Sequence, residues 1–228
     1  MTAADEDTAM RWRRTLAGPQ DLTWWVAASF MVGASLFALG SFPPFAQLVA
    51  PAFVAGVFFA GSIPFTSAAA GQLLLAIVGE RSSPPRRRIV GHGWAWWAAA
   101  IQFPGTIFFN VSTFDALLDG LSTTQVNRLV WAPDIFGSTA FLLASAATWL
   151  DVCGPRWVRR DDEAWWGAAF NALGSVLFGI AGLASLVLPT TGETVNLALV
   201  NAGTFGGGVC FFLAAYLLLP PAPRAAPA

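Results

Sequence analysis

Trp165-Trp166-Gly167-Ala168-Ala169, running on through Asn171 to Gly174-Ser175-Val176-Leu177-Phe178, is the stretch whose reading decides the fold, because it occurs three times. Trp24-Trp25-Val26-Ala27-Ala28 leads to Gly33-Ala34-Ser35-Leu36-Phe37, and Trp96-Trp97-Ala98-Ala99-Ala100 leads to Gly105-Thr106-Ile107-Phe108-Phe109. In each copy the Gly lies nine residues after the first Trp and the Phe thirteen after it; the copies are 72 and then 69 residues apart. Self-similarity at a nearly fixed spacing is the signature of a repeated structural unit.

The composition says what solvent these units face. Of 228 residues, 56% are hydrophobic and 11% charged, with a mean hydropathy of +0.60. Soluble domains carry about 25% charged residues, so this chain cannot cover a water-facing surface. Its charges lie in short clusters between uncharged stretches of about 20 residues, the length a helix needs to cross a bilayer. Runs such as Leu183 to Leu188 lack the alternation of an outer-membrane barrel strand. The expected fold is therefore all-α: a polytopic membrane bundle of six transmembrane helices, built as three parallel two-helix hairpin repeats.

The spans are expected near Trp24–Phe42, Phe53–Val78, Trp96–Phe114, Val130–Leu150, Trp165–Leu188 and Thr194–Leu219. The connections carry Pro43-Pro44, Pro51, Pro84-Pro85, Pro133, Pro155 and Pro220-Pro221. This layout gives a cytoplasmic tail over 1–21, hairpins over 22–79, 92–151 and 164–219, and a second cytoplasmic tail over 220–228. All 12 basic residues are Arg, and 11 of them fall on one side of a six-span chain, Arg128 alone falling on the other. The positive-inside rule then places both termini in the cytoplasm of an inner (plasma) membrane. An Arg-only basic set among many Ala and Gly suggests a GC-rich bacterial source. An export-signal reading of Arg13-Arg14 fails, because the apolar run after it belongs to the repeat.

The even-numbered spans repeat less clearly. Phe136-Gly137-Ser138 with Phe141 resembles Phe205 to Gly208 with Phe211, and Gly56 to Phe59 is the vaguer third copy. Hairpins that all share one orientation are related by an axis along the membrane normal, and a pseudo-threefold ring is the simplest closed arrangement.

The repeated residues have membrane purposes. The pairs Trp24/Trp25, Trp96/Trp97 and Trp165/Trp166 suit headgroup depth. Gly33, Gly105 and Gly174, each followed by a small residue, permit close helix crossings, and the Phe four residues later would fill the space beside each crossing. None of this is chemistry, and no hydrolase, kinase, nucleotide or metal signature appears. Gly203 to Gly208 has no Lys nearby and no preceding strand, so close packing explains it better than phosphate binding. Cys153 and Cys210 form no disulfide framework or metal spacing. The sole histidine, His92, reads as an interfacial loop residue, with no intramembrane carboxylate near it in sequence.

Polar residues within spans are the remaining candidates. Gln102 and Asn171 share one repeat position, six residues after the first Trp, where the first copy has Phe30. Asn110, Asn201 and Gln72 also fall within spans. Uncharged amides hold membrane helices together, and that reading is preferred over substrate contact. Asp115 and Asp134 are expected at the outer ends of the third and fourth spans, where they would either flank a cation path or, for Asp134 after Pro133, complement a helix start. Pro104-Gly105 is the one expected break. No catalytic residue, metal or cofactor is expected, the chain reads as a non-enzyme, and its expected partners are the lipid bilayer and another membrane protein or a second copy, not nucleic acid. The alternative is a small-solute channel or transporter using amide-lined paths between hairpins.

The final hairpin, from Trp165-Trp166-Gly167 through Asn171 to Phe178 and then Asn201 to Leu219, resembles the YrhK-like domain, a short bacterial two-helix membrane module. The resemblance implies a helical hairpin in the membrane and carries no catalytic residues over to this chain.

Overall fold

A computed structural model describes residues 21–82, 89–154 and 157–219. The expected tails, the acidic start at Asp5 to Asp7, the Arg86 to Arg88 cluster, Arg156 and Arg224 lie outside the described residues, apart from Asp21. The described chain is all-α, without strands. Its six long helices are α1 (Leu22–Ser41), α2 (Pro51–Ser82), α3 (Trp94–Asp115), α4 (Ala132–Cys153), α5 (Glu163–Ala184) and α6 (Leu197–Leu218).

Five helices are long and apolar enough to cross a membrane: α1, α2, the continuous helix Thr123–Cys153, α5 and α6. Large apolar side chains lie on the outside of the bundle, among them Val32, Ile63, Leu143, Leu173 and Leu183, all at least half exposed. Much of the interior is Gly, Ala and Ser. Such an arrangement suits lipid outside, because lipid tails are as apolar as leucine.

Helix boundaries follow local chemistry. Asp21 caps α1 by accepting from the Trp24 amide, Asp162 caps α5 through Ala164, and Asn196 caps α6 through Leu199. Pro51 opens α2 at its first position, where a missing N–H costs nothing. The fifth helix ends at Ala184, short of the expected Leu188, because Pro189 disfavours helical backbone at the residue before it. Residues 187 and 194 instead form an isolated bridge around Gly192, and α6 begins at Leu197.

The one expected helix break, at Pro104-Gly105, is corrected. Helix α3 runs unbroken through Pro104, and α2 through Pro64. The irregular stretch lies elsewhere. The fourth span begins at Thr123 behind a capping box of Ser122 and Gln125, passes through a π-helical stretch at Val126–Trp131, and continues into α4. A wide π turn ahead of Pro133 relieves the clash between a proline ring and the preceding turn. Asp134 therefore does not sit at a free helix start, and the helix-dipole account of it falls.

Within each hairpin the two helices pack along their length, and contacts of α2 with α3, α4 with α5, and α6 with α1 close a ring. The hairpin crossings are Gly against Gly. A Cβ on Gly33 would stand 2.8 Å from the Gly61 carbonyl oxygen, one on Gly137 3.0 Å from that of Gly105, and one on Gly174 3.2 Å from that of Gly207. The first hairpin's partner glycine is thus Gly61, with Phe65 four residues on, and not the Gly56 to Phe59 stretch; Gly56 faces open space.

These crossings place aromatic rings at the centre of the ring of helices. Phe37, Phe109 and Phe178 form one triangle, with ring centroids 6.4, 5.7 and 6.0 Å apart. Phe65, Phe141 and Phe211 form a second, with separations of 5.8, 5.8 and 5.6 Å. The triangles stack, Phe109 on Phe141 and Phe178 on Phe211, both at 5.1 Å. All six rings are buried. The odd-helix Phe side chains fill the space beside their own crossings, Phe37 against Gly61, Phe109 against Gly137 and Phe178 against Gly207, and they also meet one another.

Gly174→Leu, Gly105→Leu or Gly33→Leu must separate two touching backbones, and each should cost about 1–3 kcal/mol. Ala60→Leu, on the exposed face of α2, should be nearly neutral. Equilibrium unfolding of the purified protein in mixed detergent would measure both, and equal effects at Gly174 and Ala60 would refute the close-crossing account.

Candidate functional site

The phenylalanine layers divide the interior into two cavities. The void among Phe37, Ser62, Phe65, Thr106, Phe109 and Phe178 is only about 10 Å³, at the lower limit for holding one water. On the side of the Trp pairs lies a cavity of about 180 Å³. On the opposite side lies a shallower one of about 350 Å³, lined by Asp134, Thr113, Trp131, Ser185 and Thr204, with Phe37, Phe109 and Phe178 at its base.

The Trp-side cavity brings together residues that the repeat marks as equivalent. Phe30, Gln102 and Asn171 line it from the odd helices, each six residues after the first Trp. Gln72, Thr148 and Leu218 line it from the even helices, each seven residues after a Phe of the second triangle. Phe65 and Phe211 form its floor, Ala168, Ala214 and Ala215 part of its wall, and it reaches the end of the bundle at Val152 and Glu163.

Its polar groups are incompletely paired. Gln102 is 6% exposed, and its side-chain amide meets no hydrogen-bonding partner among the described residues. The Oε1 atom of Gln72 is buried and unpartnered. Thr148 donates to the Ala144 carbonyl, and Asn171 donates through Nδ2 to Ser145 Oγ at 2.9 Å, which leaves Thr148 Oγ1 and Asn171 Oδ1 as acceptors.

The other candidates act between hairpins. Asn110 on α3 donates to Thr66 Oγ1 on α2 at 2.7 Å, Thr66 donates to the Thr106 carbonyl, and Thr113 donates to Ser62. Asn171 belongs to the matching seam between α4 and α5, where Ser145 and Ser175 hydroxyls stand 2.6 Å apart. The third seam is carbon on backbone: a Cβ on Gly208 would lie 3.0 Å from the Ala34 carbonyl oxygen. Asn201 lines neither cavity. Asp115 and Asp134 are not brought together, since Asp134 faces the outer cavity and Asp115 does not. The two cysteines are free and buried, and no group of three His, Cys, Asp or Glu gathers among the described residues.

Some ties were missed in the sequence. Asn127 holds the α5–α6 connection by accepting from the Val187 amide at 3.0 Å and donating to its carbonyl at 2.7 Å. Only its place in the wide turn, opposite a loop, gives it that role, and spacing along the chain does not reveal it. His92 has a carboxylate partner after all: Nδ1 is 2.8 Å from Glu80 Oε2, while the other Glu80 oxygen accepts from the Gly93 amide. Its ring stacks on Trp96 at 3.8 Å. Each Trp pair adopts the same edge-to-face geometry, with centroids 5.0, 5.0 and 4.9 Å apart.

No known family model, curated protein or solved structure matches this chain.

If the α4–α5 seam is held by the Asn171–Ser145 pair, a double-mutant cycle of Asn171→Leu and Ser145→Ala should return a coupling of about 0.6 kcal/mol, the average for interhelical hydrogen bonds in membranes. Unfolding free energies of the four proteins in bicelles give that number, and strict additivity would remove Asn171 from the seam.

Proposed function

We propose that this chain is a non-enzymatic integral membrane protein of six spans, three equivalent hairpins closed about one axis, acting as a sealed structural or partner-binding unit. The two layers of phenylalanines carry the reading, because among the described residues they fill the axis and leave a void no larger than one water. Equivalence of the hairpins is supported by the three Gly–Gly crossings, the paired Phe triangles and the three like Trp pairs. The last hairpin keeps its proposed kinship with the YrhK-like module.

The sixth span is α3, less apolar than the others. Its 22 residues rise about 33 Å, enough to cross. Its polar side chains Gln102, Thr106 and Ser112 are buried against neighbouring helices, whereas Ile107, Phe108, Val111 and Phe114 face outward. A helix lowered in mean hydropathy by an inward polar face still presents an apolar face to lipid. Arg81, Arg159 and Arg160 flank the Trp-pair end and Arg128 the other, so the Trp-pair end faces the cytoplasm of the plasma membrane. The partner on this reading is the bilayer together with another membrane protein or a second copy of the chain.

A second reading, solute transport, draws on one observation: cavities oppose each other across the phenylalanine layers, and the inner one is lined with amides.

Liposomes containing the purified protein should pass ions and small solutes no faster than protein-free liposomes, and Phe109→Ala combined with Phe178→Ala should introduce a leak. Flux through the wild-type protein, abolished by Asn171→Leu in a folded variant, would replace the sealed reading with transport. A reporter within 121–126 that is active in the cytoplasm would overturn the six-span topology.

A further inference from the structure

We propose that the Trp-side cavity is a binding site for a small primary ammonium ion carrying a short apolar group. The inference goes beyond the sealed reading and does not depend on whether any solute crosses, since the cavity is reached from one end of the bundle.

The size of the cavity sets the size of the ligand. An apolar cavity of about 150 Å³ in a protein interior holds benzene, so about 180 Å³ accommodates a molecule of five or six heavy atoms. The wall is mostly apolar, with the faces of Phe30, Phe65 and Phe211 and the methyls of Ala168, Ala214 and Ala215. Against this wall stand unmet hydrogen-bonding groups, with acceptors in excess. Gln72 Oε1, Gln102 Oε1, Asn171 Oδ1 and Thr148 Oγ1 can all accept, while the Gln72 and Gln102 amide nitrogens and the second hydrogen of Asn171 Nδ2 can donate, so four oxygens face three nitrogens. Exchanging O and N in either Gln amide leaves that count unchanged. A buried acceptor without a partner is costly; Gln72 Oε1 is one, and a ligand with several N–H donors removes that cost while bonding the other acceptors of the lining.

Charge narrows the class further. The lining holds no Arg, Lys or His to receive a carboxylate or phosphate, and Glu163 stands at the mouth. Aromatic faces attract cations. An anion thus finds amide N–H groups but no cationic side chain, and a carboxylate at the mouth, whereas a neutral alcohol brings a single donor and a primary ammonium brings three. The chemistry is therefore that of an alkylamine in its protonated form.

The test uses the full chain in lipid nanodiscs, titrated calorimetrically with n-butylammonium, n-butanol and butyrate, with empty nanodiscs subtracted. Butylammonium should bind saturably at one site per chain, butanol about tenfold more weakly, as loss of a hydrogen bond to a charged group requires, and butyrate not at all. Gln102→Leu should weaken butylammonium by about the same factor. Gly167→Leu provides a variant that keeps the fold: Gly167 lines the cavity, and a Cβ there meets nothing within 4 Å. Leucine at this position fills the cavity without moving backbone, and it should abolish binding while the unfolding midpoint is maintained. Absence of saturable heat would mean that the cavity holds only water and would overturn the proposal. Equal binding of butanol or butyrate, or wild-type binding by either folded variant, would overturn it as well.

Discussion

Between lipid tails that are as apolar as leucine, two helices gain little by burying aliphatic side chains against each other, so van der Waals contact and hydrogen bonds must hold them together. In this chain the contact is made where backbone can touch backbone: Gly33 on Gly61, Gly105 on Gly137, Gly174 on Gly207. Those approaches fix how near the two helices of a hairpin lie and which side chains turn inward. Each crossing is followed, four residues on, by a Phe from both helices, and the six rings converge because the crossings share one geometry. Aromatic pairs at such separations contribute about 0.5–1.5 kcal/mol each beyond the area they bury. The layers thus lock the hairpins to one another as well as closing the axis.

Between hairpins the chain uses two kinds of interaction. Hydroxyls and an amide join α2 to α3 through Thr66, Asn110 and Thr113, and α4 to α5 through Ser145, Asn171 and Ser175. Where α6 returns to α1, Gly208 packs on the Ala34 and Ala38 backbone. A hydrogen bond fixes register at one point, whereas backbone packing tolerates sliding along a groove. The α6–α1 seam joins the two ends of the described chain, and it is packed backbone on backbone at Gly208.

The sequence made some of this legible for physical reasons that also explain its failures. Apolar length revealed the five helices long and apolar enough to cross a membrane, because the bilayer imposes one length on all of them. The sixth expected span, α3, is not among them; its polar Gln102, Thr106 and Ser112 are buried against its neighbours and lower its mean hydropathy. The Trp-to-Gly-to-Phe spacing singled out residues that lie at crossings and on the axis, since a residue that must touch backbone or fill a centre has few substitutes. The even helices were harder to read. The true counterpart of Gly137 in the first hairpin is Gly61, next to Pro64, and a nearer-looking Gly56 faces open space. The Asn127 clamp had no local signal, because it answers to a loop about 60 residues away.

Packing positions and cavity positions obey different rules within the same spacing. At the crossings every copy is Gly, and in the aromatic layers every copy is Phe, because geometry admits one solution. Six residues after the first Trp the copies are Phe30, Gln102 and Asn171, and seven after the second-layer Phe they are Gln72, Thr148 and Leu218. All six line one cavity. A ring assembled from three identical hairpins would have to place the same side chain at all three equivalent points, so it would be polar or apolar all round. Joining three unequal hairpins in one chain removes that constraint. The cavity can then be aromatic on one side and amide-bearing on the other, which is the asymmetry needed to orient a molecule with a polar end and an apolar end.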